Sequence, residues 1–115
     1  MPEYDLRKRT KVLGLRIIEL YRALPKTTEA QVLGKQVPRS GTSVGANYRE
    51  AYRGRSNAEF VAKIGDCLKE LDETTYWLEL IVESNIMSQN RVAALLDEIN
   101  QLIAIFTTII KKRKG

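Results

Sequence analysis

PRSGTSVGANYREAYRGRS, Pro38 to Ser56, is the stretch on which the reading of this chain turns. The segment that contains it divides in two when projected onto a helix at about 100° per residue. Leu33, Val37, Val44, Tyr48 and Ala51 fall on one side. Lys35, Arg39, Arg49 and Arg53 fall on the other, within an arc of roughly 80°. Thr42 and Ala46 alone lie between the two basic pairs, so the basic stripe has a smooth centre. The same segment holds Gly34, Gly41, Gly45 and Pro38. Two interior glycines cost a helix about 2 kcal/mol and a proline about 3 kcal/mol. Tertiary packing has to hold such a helix, and small residues let a second helix come close. The plainest reading is a closely packed helix with a solvated basic face.

The flanking sequence supplies the partners. Leu6, Leu13, Ile17, Leu20 and Leu24 recur at helical spacing over about 5–24, and Pro25 stops that helix. The second helix is expected over about 28–53, with Thr28 as N-cap, Gln31 completing a capping box and Gly54 as the residue past its end. Residues alone would split it at Pro38. The third, about 57–83, opens on Ser56 with Glu59 three residues on. Phe60, Ile64, Cys67, Leu71, Thr74, Leu78 and Ile81 form its heptad seam. A second face carries Glu59, Asp66, Glu70, Glu73 and Trp77. The fourth, about 88–112, has the seam Val92, Leu95, Ile99, Leu102, Phe106 and Ile109. Four helices with short connections and no strand pattern imply an all-α, antiparallel up-down-up-down four-helix bundle in one domain over 1–115.

Three pieces carry a family resemblance: RSGTSVGANYREA (Arg39 to Ala51), AEF (Ala58 to Phe60) and KELDETTYWLEL (Lys69 to Leu80). With their spacing they resemble the signature of the four-helix-bundle proteins encoded in intervening sequences of bacterial 23S ribosomal RNA genes. The accessory variability determinant of diversity-generating retroelements is a more distant relative of the same architecture. The resemblance implies a single second helix, kinked at Pro38. It also implies a non-enzymatic bundle, associated with ribosomal RNA or a retroelement's nucleic acid, that assembles into rings, commonly pentamers.

Composition narrows the function further. The chain has no histidine, which removes the commonest general base and imidazole metal ligands. A di-iron site of Glu-x-x-His pairs cannot be built. Asp66, Glu70 and Glu73 have the spacing of any acidic helix face, so no catalytic residue, metal or cofactor is expected. Gly41-x-x-x-Gly45 lacks the Lys-Ser/Thr ending of a phosphate loop and reads as close helix packing. The single cysteine, Cys67, reads as a core residue and fits a reducing cytoplasm. No apolar segment precedes the first helix, and Leu102 to Ile110 is shorter than the roughly 20 residues of a membrane span. No membrane association is expected.

The net charge of +5 is unevenly placed: residues 1–57 carry +7, residues 58–110 carry −6 and residues 111–115 carry +4. The first half of helix 1 is basic as well. That distribution suits a polyanionic partner or self-association. On the first reading, Lys35, Arg39, Arg49, Arg53 and Arg55 meet nucleic-acid phosphates, and Lys111, Lys112, Arg113 and Lys114 act as a mobile clamp. Glu70, Glu73 and Trp77 are then candidates for an oligomer interface. On the second reading the protein is a homo-oligomeric interaction adaptor with no direct nucleic-acid binding. There the basic stripe of one protomer docks on the acidic stripe of the next.

Overall fold

The structure, a computed structural model, describes residues 6–114. Four helices follow in chain order: α1 (Leu6–Ala23), α2 (Thr28–Ala51), α3 (Asn57–Glu83) and α4 (Gln89–Lys114). Asp5, the expected first residue of α1, lies outside the described residues.

Cross-helix contacts fix the topology. Thr10 of α1 faces Gly45 of α2, whereas Tyr21 and Leu24 face Gly34. On the next pair Ser40 meets Thr74 and Glu50 meets Lys63. At the following pair Asn57 meets Arg113. Arg9 closes the circle by a bidentate pair with Glu98 of α4, at 2.7 and 3.0 Å, and reaches Gln101 at 3.1 Å. Early residues of each helix meet late residues of the next, which makes an up-down-up-down bundle measuring 45 × 22 × 20 Å.

The heptad seam of α3 is buried along its whole length, from Phe60 to Ile81. It packs against Val37 and Val44 of α2 and Ile99, Leu102 and Phe106 of α4 in one core cluster, with Leu13 and Ile17 of α1. Cys67 belongs to that core, and its thiol points at the Val44 carbonyl oxygen, 3.5 Å away. Burial, then the nearby Asp66 charge, pushes the thiol from 9.0 up to about 12. Ser40 and Thr74 are the buried polar pair, with hydroxyls 2.7 Å apart. They set the register of α2 on α3.

α2 runs unbroken through Pro38. Around the proline, Ser40, Thr42 and Ser43 donate their hydroxyls back to the carbonyls of Gln36, Pro38 and Arg39. Such back-bonding bends helices, and here it brackets the residue that breaks the backbone ladder. The glycines explain why the segment stays helical. A Cβ at Gly41 would run into Ile17, and one at Gly34 into Leu24. These positions let α1 lie close on α2.

Two caps differ from the expectation. Thr27, not Thr28, is the N-cap of α2, and its hydroxyl accepts from the Ala30 N–H at 3.3 Å. The shift frees Gln31 to accept from the Tyr21 hydroxyl and donate to the Pro25 carbonyl, both at 3.0 Å, tying down the α1–α2 loop. At the other end α2 stops at Ala51, two residues early. Arg53 and Gly54 donate to the Glu50 and Ala51 carbonyls, so a tightened last turn ends the helix, and among the described residues no glycine adopts a positive φ. Ser56 caps α3 as expected, accepting from the Glu59 N–H at 3.1 Å.

By length and composition α4 is apolar enough to cross a membrane. In this fold its buried row, Val92 to Phe106, forms part of the bundle core.

Candidate nucleic-acid interface

The basic residues singled out from the sequence separate into two groups. Arg39 belongs to the fold. Its guanidinium pairs with Glu73 of α3, and its Nε donates to Gln36 Oε1 at 2.9 Å. The same Glu73 oxygen accepts from the Trp77 indole N–H at 3.1 Å. Glu73 and Trp77, candidates for an oligomer interface, therefore contact each other within one chain, and Glu73 also pairs with α2. Lys63 and Glu50 form a second link between these helices, at 2.8 Å. Lys63 holds the Glu50 carboxyl below its ordinary value, and Glu50 raises the lysine in turn. Glu70 Oε1 is buried with no hydrogen-bond partner. Lys35 is exposed in the half of α2 remote from Arg49.

The second group gathers at one end of the bundle. The topology brings the start of α1, the end of α2, the start of α3 and the end of α4 together there. Arg7, Arg49 and Arg53 line one cleft with Tyr48 and Tyr52. Lys112 and Arg113 line a second with Tyr52 and Phe60. Arg7, Lys11 and Arg49 border a third, over the small residues Gly14, Thr42, Gly45 and Ala46. That last surface is the smooth centre read from the sequence, now closed on its far side by α1. Among the described residues, Arg7, Lys11, Arg49, Arg53, Arg55, Lys111, Lys112 and Lys114 make no ion pair.

The α4 terminus is not the mobile clamp expected from its sequence. Helix continues to Lys114. Arg113 lies 4.1 Å above the Phe60 ring, donates to Asn57 Oδ1 at 3.1 Å, and accepts at its carbonyl from Asn57 Nδ2 at 3.3 Å. A cation–π contact and a reciprocal amide tie dock the last turn of α4 on the first turn of α3. Cations here also oppose the negative end of the α4 dipole.

Arg7 and Lys11 are the residues that sequence reasoning left out of the site. The basic first half of α1 was visible. What joins it to Arg49 and Arg53 is the antiparallel packing of α1 on α2, and the glycine and threonine contacts carry that signal.

Fold and site together define an all-α bundle protein with its unpaired positive charge concentrated at one end. The chain belongs to the 23S rRNA-intervening sequence protein family, whose model matches residues 3–108. It is also similar to a crystal structure of a protein of unknown function from the S23 ribosomal protein family of Bacteroides thetaiotaomicron VPI-5482. The two are 34% identical with a TM-score of 0.86, over 91% of this chain and 97% of the other. No curated protein matches the chain.

Proposed function

We propose that this protein is a non-enzymatic, cytoplasmic, homo-oligomeric bundle that binds RNA, or nucleic acid generally, through backbone phosphates. The observation that carries the reading is the convergence of Arg7, Lys11, Arg49, Arg53, Lys112 and Arg113 from three helices on one end. Grouped like charges without carboxylate partners repel one another, and a polyanion relieves that repulsion. Family membership supports the same partner class. The missing histidine and the buried, weakly acidic Cys67 thiol support a non-catalytic role. Oligomerisation is supported by Tyr76, 53% exposed, packed edge-on against Trp77 at 5.2 Å beside the α2–α3 charge pairs. A pentameric ring is the assembly that the family resemblance implies.

The adaptor reading is the weaker one. Its docking pair, the α2 basic stripe on the α3 acidic stripe, is met within one chain by Arg39 and Glu73.

The test is RNA affinity against salt concentration. If each protomer neutralises about three phosphates, log affinity falls against log salt with a slope of about −2 for single strands and about −2.7 for duplexes. Arg49→Glu with Arg53→Glu weakens every RNA sequence alike, because phosphate contacts carry no sequence information. Light scattering on the same variant shows an unchanged oligomer. A variant that loses its oligomer, or a wild type that fails to bind RNA at low salt, returns the adaptor reading to first place.

A further inference from the structure

We infer that the clefts around Tyr52 form a slot for one unstacked nucleobase of a single-stranded nucleic acid, with cations on both sides to hold the flanking phosphates. This rests on the phosphate-binding reading above and adds a base contact to it.

Tyr52 is the observation that phosphate contacts leave unexplained. The residue is 60% exposed, between the clefts of the basic end. It is also held in place, 5.2 Å from Tyr48 and 5.3 Å from Phe60, with interplanar angles of 70° and 75°. Those rings are themselves buried, so Tyr52 stands on a fixed aromatic base. It lines two clefts. On one side lie Arg7, Arg49 and Arg53. The other is a cleft of about 480 Å³ with an apolar wall of Ala104, Ile105 and Ile109 and a rim of Lys112 and Arg113.

A phosphate can accept a hydrogen bond from the phenol hydroxyl, but it gains nothing from the ring face or from isoleucine. A base gains from the ring and from the apolar wall, since every base has a π-face to stack and to shelter from water. The cleft falls in the size range of small-ligand sites. Arg113 is locked over Phe60 by Asn57, so the rim cation is preorganised. A base within a duplex is already stacked and cannot reach such a platform. The slot therefore makes the protein prefer single strands, which phosphate contacts alone do not.

The test compares poly(A) with the poly(A)·poly(U) duplex, for wild type, Tyr52→Phe and Tyr52→Ala, at one salt concentration and then across salt. Removing one stacking ring lowers single-strand affinity about five- to 150-fold, while the phenylalanine variant stays within about twofold of wild type. Duplex affinity and the salt slope stay unchanged. Equal loss on strand and duplex, or no loss on either, overturns the slot and leaves the phosphate reading standing. Should wild type bind neither polymer, the phosphate reading fails by itself. The slot is then judged on adenosine monophosphate: shifts of the Tyr52, Ile105 and Ile109 nuclear magnetic resonance signals support it, and their absence overturns it. Displacement of poly(A) by polyglutamate from wild type and Tyr52→Ala alike also overturns it, because the cleft is then a general polyanion surface. Melting temperatures of the variants separate loss of binding from loss of fold.

Discussion

Two glycines in neighbouring helices should respond to the same substitution with opposite signs. Gly41 faces α1, and an added Cβ would meet three atoms of Ile17, two of them at 3.3 Å. Ile17 is completely buried, and as a β-branched residue in a helix it has one strongly preferred rotamer. It cannot swing aside, so Gly41→Ala overpacks the α1–α2 contact at a cost of about 1–3 kcal/mol. Better helix propensity returns about 1 kcal/mol, for a net loss of about 1 kcal/mol. Gly65 in α3 has nothing within 4 Å of its would-be Cβ. Gly65→Ala collects the propensity and unfolded-state gains alone, about 0.5–1 kcal/mol. The two variants should differ by about 2 kcal/mol, or about 6–12 °C in melting temperature for a domain of this size. Circular dichroism during heating and in urea, at one protein concentration, measures the gap. If Gly41→Ala is as stabilising as Gly65→Ala, α1 does not lie on α2 as described, and the shared border of Arg7 and Arg49 goes with it.

The Arg39–Glu73 pair is partly exposed, so a double-mutant cycle through Arg39→Ala and Glu73→Ala should give a coupling of about 0.5–1 kcal/mol. The exchange Arg39→Glu with Glu73→Arg should restore stability that either reversal alone removes; coupling near zero would detach Arg39 from the fold. Cys67 should resist thiol reagents in the native state at about pH 8, where a free thiol reacts. Its proton affinity, like that of Tyr48, which burial also raises, is higher in the folded chain than in the unfolded one. For Cys67 the stabilisation is complete below about pH 9 and is lost as pH rises through the window from 9.0 to about 12, at about 1.4 kcal/mol per pH unit; for Tyr48 the loss begins only above its ordinary value of 10.0. Urea titrations across that range check the sign, and stability that rises with pH would contradict it.

Much of the bundle could be read from local pattern. The α3 seam, the Ser56 cap and the core place of Cys67 are all properties of spacing within one helix, and spacing survives into the fold. Where two local solutions were equivalent, the sequence could not choose between them. Thr27 and Thr28 can both cap, and the contacts of Gln31 with Tyr21 and Pro25, made across a loop, favour the first. Gly54 looked like a helix terminator, yet α2 closes earlier by tightened turns. Charge was the least legible quantity. A helical projection groups Arg39 with Arg49 and Arg53, but Glu73, which removes Arg39 from the group, lies 34 residues away on another helix. The same projection cannot add Arg7, which joins them only through α1–α2 packing. Tyr52 is illegible for a related reason: its ring contact with Phe60 and the clefts it lines with residues of α1 and α4 are made across helices.

Hydrogen–deuterium exchange with and without single-stranded RNA at low salt tests the central claim most directly, because it reports where the nucleic acid lies. Binding at the basic end should slow exchange in the first turns of α1, around Tyr48 to Phe60, and in the last two turns of α4. Exchange near Tyr21 to Leu33 and Leu78 to Leu95, at the opposite end, should not change. Protection concentrated at that opposite end, or along Lys35 and Arg39 with residues 48–60 unaffected, would contradict the assignment of the basic end as the interface.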